Sequence, residues 1–190
     1  IPQWAVIGKL SSTDVRNLIA QIGYDKSAWD YTLIGENNSV GRYQFDALTL
    51  ESYGLLAKGS NLAYGSDCVN YVNCWRSVSV KTADSYASNY LYDVRSLSQF
   101  LTSTISQDHL AYQRLYDLYY GLQNIGAIVD TDSADVVAGM IAVAWDIGVG
   151  SSKDTNNPSG TGAYAWRYSG LGNAENSYNS GRYAVTVLSQ

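Results

Sequence analysis

The segment Ser133–Gly150, SADVVAGMIAVAWDIGVG, decides the fold class of this chain. Ser133 is a residue type that caps helices, and the side chains from Val136 to Ile147 are apolar around nearly the whole circumference of a helix. A helix without a polar face is normally surrounded by other elements. The segment therefore predicts a central helix with six almost fully buried residues: Val136, Val137, Met140, Ile141, Ala144 and Trp145.

Apolar residues at helical spacing near the start of the chain predict a first helix. We expect Ser12 or Thr13 to cap this helix and Gly23 to end it. Four apolar residues between these positions share one face: Val15, Leu18, Ile19 and Ile22. We expect a second helix soon after residue 45, and two or three more helices between residues 82 and 128.

Long polar loops and a single domain complete this prediction. Residues 150–162 have turn composition throughout and predict a surface loop, while residues 178–190 predict a last helix. Strand signals are limited to a brief alternation at residues 73–82. Because 190 residues fit one ordinary domain, we predict a mainly α single domain over residues 1–190, with residues 1–11 as an extended arm.

Charge and composition argue against two classes of partner. The chain carries 12 Lys and Arg against 17 Asp and Glu and has no basic run, so we expect no nucleic acid partner. No apolar run reaches the roughly 18 residues that would span a bilayer, so we expect no membrane partner. The low charged fraction of 15% and the 17 Tyr residues suit an extracellular or virion protein that handles a neutral polymer. The start at Ile1, without Met, is expected of a processed product or a piece of a longer polypeptide.

Two cysteines, Cys68 and Cys74, lie close together in a turn-rich segment. With His109 as the one histidine of the chain, the usual four ligands of a zinc site are lacking, so we expect no metal and no cofactor. A loop disulfide and a pair of reduced, half-buried thiols are both compatible with this spacing.

The segment Gly35–Leu48, GENNSVGRYQFDAL, places a polar loop before a Gly-Arg-Tyr-Gln-Phe run and an amphipathic stretch. Three more segments follow in order: residues 100–119 with a Gln-acid pair, residues 139–150 with a final Gly turn, and residues 166–185 with a Gly-Arg-Tyr helix start. Together they resemble the lysozyme-like, or lytic transglycosylase-like, domains of tailed-phage virion proteins, in which a Gly-Lys-Tyr-Gln-Phe run recurs. This resemblance covers about residues 38–185 and implies a lysozyme-like fold.

The resemblance also implies cleavage of the peptidoglycan glycan strand by an acid at the end of the first helix, where a Glu-Ser-Gly triplet commonly stands. That acid must be held neutral in order to protonate the leaving oxygen. Here the expected helix end reads AQIGYD, with Gln21 at the acid's place, whereas counting back from Gln44 by the family's usual spacing reaches Lys26. Neither Gln21 nor Lys26 is a carboxylic acid, so we expect catalysis to be weak or lost.

Glu36 is the carboxyl group best placed to substitute for the missing acid, because its loop leads into the Gly-Arg-Tyr-Gln turn. It is our candidate catalytic residue. The alternative is that Glu36 is an ordinary solvated loop residue, and Asp25 and Asp30 are weaker candidates for the same role.

Five residues are assigned to substrate binding: Gln21, Arg42, Tyr43, Gln44 and Trp29. Tyr43 is equally suited to the core, and the Gln44 amide suits either an N-acetyl group or a buried backbone pair. Trp29 would offer a stacking surface to a sugar.

The predicted function is that of a phage virion structural protein, located in the virion and acting outside or in the envelope of the bacterial host. Its lysozyme-like domain is expected to bind the peptidoglycan glycan strand or another virion subunit. The alternative is an active virion-associated peptidoglycan hydrolase that cuts the strand with a Glu general acid.

Overall fold

The structure is a computed structural model that describes residues 5–57, 59, 75 and 94–169. This part of the chain is mainly helical, as predicted, and its β pairing is limited to isolated bridges. None of its helices is both long enough and apolar enough to cross a bilayer. Three predictions lie outside the described residues: the pairing of Cys68 and Cys74, the last helix and, apart from Trp75, the alternation at residues 73–82.

Six α-helices and one short 3-10 helix make up the regular structure of the described part. The 3-10 helix is Glu36–Asn38, and the α-helices are α1 Ser12–Ser27, α2 Ala47–Ser52, α3 Leu97–Thr102, α4 Thr104–Asn124, α5 Ala134–Ile147 and α6 Gly162–Tyr168. The chain divides into two compact units. The first unit lies within Ile1–Gln21 and Tyr112–Gln190, and the second lies within Ile22–Ala111. A single domain over residues 1–190 stays a prediction.

Helix α5 is buried along most of its length. The Ser133 hydroxyl caps it by accepting a hydrogen bond from the Val136 backbone N–H at 3.3 Å. Burial is confirmed for five of the six predicted residues: Val137, Met140, Ile141, Ala144 and Trp145. The prediction for Val136 is wrong, since this side chain is 37% exposed. Val136 lies in the first turn of α5, where the helix still has a side that faces solvent.

Two neighbours in the same unit cover α5. Helix α6 packs against it. Arg114 of α4 donates a hydrogen bond to the Trp145 carbonyl at 3.3 Å, and its guanidinium lies 4.9 Å from the centre of the Trp145 ring. An apolar helix in this position supplies much of the core of its unit.

Helix α1 is capped by Ser11, so the prediction of Ser12 or Thr13 as the cap is wrong. The Ser11 hydroxyl accepts a hydrogen bond from the Asp14 N–H at 3.1 Å, and the Asp14 carboxylate accepts one from the Ser11 N–H at 2.9 Å. This reciprocal pair is a capping box. Ser11, Ser12 and Thr13 are all capping residue types, and the carboxylate three residues after Ser11 decides between them.

The prediction that α1 ends at Gly23 is also wrong, because the helix continues to Ser27. It ends where Ala28 and Trp29 adopt left-handed backbone angles, with φ of 51° and 66°. The Trp29 N–H then closes on the Gly23 carbonyl at 3.1 Å. A Cβ on Gly23 would lie 2.7 Å from Nε of Arg42, so this glycine allows a close side-chain approach and does not stop the helix.

Within the predicted arm at residues 1–11, the described residues include a tight turn. The backbone N–H of Leu10 donates to the carbonyl of Ile7 at 2.8 Å, and both side chains are buried. Gly8, at φ of 53°, lies at the tip of this turn, and a Cβ there would collide with the Tyr119 ring of α4. The turn is therefore packed against α4 within the first unit.

Asp132 holds the connection between α4 and α5. Its carboxylate pairs with both Nη atoms of Arg167 at 2.6 and 2.7 Å and accepts the Val129 N–H at 2.7 Å. Hydrogen bonding to Arg167 is the main reason that the pKa of Asp132 falls to about 2. The Lys9 ammonium donates to the carbonyls of Asp130, at 2.7 Å, and Asp132. The connection is thereby joined to α6 and to the N-terminal turn.

Replacing Ile141 with Ala is expected to lower the free energy of unfolding by about 2 to 5 kcal/mol, because the removed atoms leave a cavity in a fully buried place. Val136→Ala is the matched control, since it truncates an exposed side chain of the same helix and is expected to cost less than about 1 kcal/mol. Urea denaturation of both variants measures the difference. An equal loss in the two variants would contradict the described burial of α5.

Candidate functional site

The Gly-Arg-Tyr-Gln-Phe run, residues 41–45, forms a compact structure that we call the motif turn. The backbone groups of Val40 and Phe45 pair at 2.9 and 3.0 Å on either side of it, and the Gly41 N–H donates to the Leu33 carbonyl at 2.8 Å. Both Val40 and Phe45 are buried. Apolar side chains and backbone pairing therefore fix the shape of the motif turn.

Gln107 ties the motif turn to α4. Its side chain is fully buried; Oε1 accepts the Arg42 N–H at 2.8 Å, and Nε2 donates to the carbonyls of Tyr31 and Phe100 at 3.0 and 2.9 Å. Gly41, at φ of 79°, lies against the same amide, and a Cβ there would collide with Oε1. One buried amide thus satisfies backbone groups from three segments, and Gly41 makes room for it.

Asp108 follows Gln107 and gathers two phenols. Its Oδ1 accepts the Tyr43 hydroxyl at 2.6 Å and the Tyr31 hydroxyl at 2.9 Å. Arg42 donates to the Tyr31 hydroxyl at 2.7 Å, and its guanidinium lies 4.9 Å from the centre of that ring. Burial, and next the charge of Asp108, raises the pKa of both phenols, which keeps them protonated as donors. Tyr43 is 1% exposed, so its ring lies in the core.

The Gln44 side chain turns toward the backbone of its own loop. Its Nε2 donates to the Gly41 carbonyl at 2.9 Å and to the Leu33 carbonyl at 3.3 Å. A Cβ on Gly35 would collide with this amide, and Gln44 itself has a left-handed φ of 52°. The amide nitrogen of Gln44 is therefore paired with backbone carbonyls, and a role of this residue in substrate binding stays a prediction.

The end of α1 meets the motif turn. The Ser27 hydroxyl donates to the Arg42 carbonyl at 2.7 Å and lies 3.1 Å from the Gly23 carbonyl one turn earlier. Lys26 comes directly before Ser27, in the last turn of the helix. The residue next to Ser27 at the end of α1 is therefore a lysine.

Gln21 does not stand at this end. It is half-buried, lies within α1 six positions before Ser27, and belongs to the other compact unit. The sequence pattern assigns Gln21 to the acid's position only if Gly23 ends the helix, and α1 continues to Ser27.

The candidate carboxyl groups are exposed. Glu36 opens the 3-10 helix, and its carboxylate makes no hydrogen bond to any described residue. Asp30 accepts both the hydroxyl and the backbone N–H of Thr32, and these hydrogen bonds lower its pKa. A general acid needs the opposite shift, which apolar surroundings supply. Neither group has such surroundings.

Two exposed aromatic residues lie at the end of α1. The ring centres of Tyr24 and Trp29 are 4.8 Å apart with 48° between the planes, and the residues are 48% and 51% exposed. We call this pair the aromatic platform. It belongs to the same compact unit as the motif turn.

The sequence pattern indicated the motif turn but not the side chains that hold it. Gln107 and Asp108 were visible only as a Gln-acid pair near the start of a helix. Their hydrogen bonds reach back 65 positions to Arg42 and Tyr43, and up to 77 positions to Tyr31. No local periodicity reports such a distance.

Comparison with protein-family models, curated proteins and solved structures finds no match to this chain. Within the described ranges, no three or more His, Cys, Asp and Glu side chains are grouped so as to hold a metal ion.

Replacing Gln107 with Leu is expected to lower the free energy of unfolding by about 2 to 4 kcal/mol, because the Arg42 N–H and two carbonyls lose their partner inside the protein. Gln113→Leu on the same helix is the matched control. Gln113 donates a hydrogen bond to the exposed Asp117, so its loss is expected to change stability by less than about 0.5 kcal/mol. Chemical denaturation compares the two, and equal stability would contradict the role of Gln107.

His109 lies on the same helix and is 4% exposed. Burial is the main reason that its pKa falls from 6.5 to about 4. The ring is therefore neutral near neutral pH.

Stability is expected to fall as the pH drops from about 6.5 to about 4, because the unfolded chain then binds a proton on His109 that the folded protein excludes. The loss over this window is at most on the order of 3 kcal/mol. Asp132 acts at lower pH, since its stabilising ion pair is lost only as the pH falls from 3.8 toward about 2. Urea denaturation across this range should show a slope between pH 6.5 and 4 that His109→Gln removes. An unchanged slope in that variant would mean that other titrating groups cause the pH dependence of stability.

Proposed function

We propose that this chain is a structural protein of a phage particle whose lysozyme-like domain binds the peptidoglycan glycan strand without cleaving it. It would act from the virion, outside or in the envelope of the host. The order of α1, polar loop, motif turn and α2 agrees with the order of elements that the sequence resemblance implies.

Lys26 is the observation that carries the proposal. In the domains that this chain resembles, a Glu-Ser-Gly triplet stands at the end of the first helix. Here α1 ends with Lys26 and Ser27, and Ala28 follows. Ser27 contacts the motif turn through the Arg42 carbonyl. Ala28 has a left-handed φ of 51°, the conformation that glycine adopts most easily. The serine and the glycine of the triplet thus have counterparts, and the counterpart of the acid is a lysine.

A lysine at this position opposes glycosidic cleavage for two reasons. It is not a carboxylic acid, and both usual mechanisms need a carboxyl group that protonates the leaving oxygen. The transition state also carries positive, oxocarbenium-like charge, which an ammonium group nearby would destabilise. The exposed Glu36 and Asp30 lack the surroundings that would let them replace the acid.

Binding does not require the acid. The motif turn is fixed by Gln107 and Asp108, and the end of α1 is fixed to it through Ser27. A surface that is ordered before the ligand arrives loses little conformational entropy on binding. The motif turn and the end of α1 are therefore suited to hold a glycan.

The proposal is tested with purified cell walls, by sedimentation for binding and by turbidity for cleavage. Wild type is expected to sediment with the walls and to leave their turbidity unchanged. Lys26→Glu restores a carboxyl at the helix end and is expected to give measurable lysis, since a general acid contributes about two to four orders of magnitude in rate. Gln21→Glu is the matched control on the same helix and is expected to give none.

Two results would contradict this proposal. Wall lysis by wild type that disappears in Glu36→Gln would make Glu36 the acid and the protein an active hydrolase. If wild type neither sediments with the walls nor lyses them, glycan binding is wrong. The motif turn and the end of α1 would then be expected to bind another virion subunit.

A further inference from the structure

We propose that the aromatic platform is a sugar subsite, at which a pyranose ring stacks on Trp29 while Asp30 accepts one of its hydroxyl groups. This assignment rests on the proposed function, because it takes the peptidoglycan strand as the source of the sugar. Nothing in the sequence resemblance points to these two rings as a pair.

The backbone of Trp29 is the first argument. A left-handed φ of 66° is unusual for a bulky residue and costs free energy that the surrounding structure must supply. The ring gains little burial in return, because Trp29 remains 51% exposed. Strained residues of this kind cluster at ligand sites. A strained backbone that presents a large ring to solvent is expected of a binding surface and is not needed for core packing.

Tyr24 gives the Trp29 ring a fixed orientation. It lies one helical turn before the end of α1, and its ring contacts Trp29 with a centre-to-centre distance of 4.8 Å. Contact with a second ring restricts the rotation of the first, so less side-chain entropy is lost when a ligand arrives. The exposed remainder of the pair offers an apolar ring face.

Asp30 supplies a polar group next to this face in the chain. Its Oδ1 accepts both Thr32 donors, at 2.7 and 2.8 Å, whereas Oδ2 makes no hydrogen bond to a described residue. An ionised carboxylate oxygen forms strong hydrogen bonds with hydroxyl groups. An exposed ring followed in the chain by a carboxylate acceptor matches a pyranose, which has an apolar C–H face and a rim of hydroxyl donors.

The size and surroundings of the aromatic platform favour a sugar over a protein partner. A stable protein interface buries on the order of 800 Å² on each side around an apolar centre. The aromatic platform itself presents two rings, and each ring is followed in the chain by an exposed acid, Asp25 or Asp30. The aromatic platform therefore suits a small amphipathic ligand.

The test titrates the full chain with a soluble β-1,4-linked N-acetylglucosamine oligomer and follows binding by calorimetry and tryptophan fluorescence. Trp29→Gly removes the ring and places in the left-handed position the residue that adopts it most easily. Its affinity is expected to fall roughly tenfold, the value of one aromatic contact, while cooperative unfolding is retained. Trp29→Phe keeps a ring and is expected to retain most of the affinity.

Matched controls come from similar exposed side chains. Tyr120 is 40% exposed, and its ring centre lies 4.6 Å from that of Tyr116, so Tyr120→Ala removes a comparable ring from the other unit and should leave affinity unchanged. Asp25→Ala controls for Asp30→Ala, and only the latter is expected to weaken binding.

The outcomes distinguish failure of the sugar subsite from failure of the proposed function. Equal affinity of wild type and Trp29→Gly, or no binding of the oligomer by wild type, overturns the subsite. If Trp29→Gly sediments with walls as well as wild type does, the subsite is wrong and the proposed function stands. If wild type ignores walls but binds the oligomer through Trp29, the proposed function is wrong and the subsite stands.

Discussion

The buried amide of Gln107 is the constraint on which the structure around the motif turn depends. It offers one acceptor and one donor group to three backbone groups that have been removed from water, and an unpaired buried backbone group is costly. Asp108 follows on the next position of α4 and points its carboxylate to the phenols of Tyr31 and Tyr43. Two consecutive residues of one helix thus order a loop that lies far away in sequence.

Arg42 extends this order to the end of α1. Its N–H is accepted by Gln107, its carbonyl accepts the Ser27 hydroxyl, and its guanidinium donates to Tyr31. Gly23 leaves the space that the Arg42 side chain fills. Backbone and side chain of one arginine therefore join the helix end, the polar loop and α4.

The mainly α class and the buried central helix could be predicted because an apolar helix circumference is a local property of the sequence. The end of α1 could not be predicted. A glycine in a helical pattern either ends the helix or allows a neighbouring group to approach closely, and only the position of the Arg42 side chain distinguishes the two cases. The left-handed Ala28 and Trp29 also give no sequence signal, because neither is a residue type that favours this conformation. The roles of Gln107 and Asp108 depend on contacts across many residues, which no local pattern contains.

Lys26 also bears on the stability of the helix end. The last turn of a helix carries partial negative charge, so a cation there stabilises the helix and a carboxylate destabilises it, each by about 0.3 to 1 kcal/mol. A carboxylate at position 26 would therefore lower the stability of α1, and the lysine stabilises this helix end whatever the neighbouring loop binds.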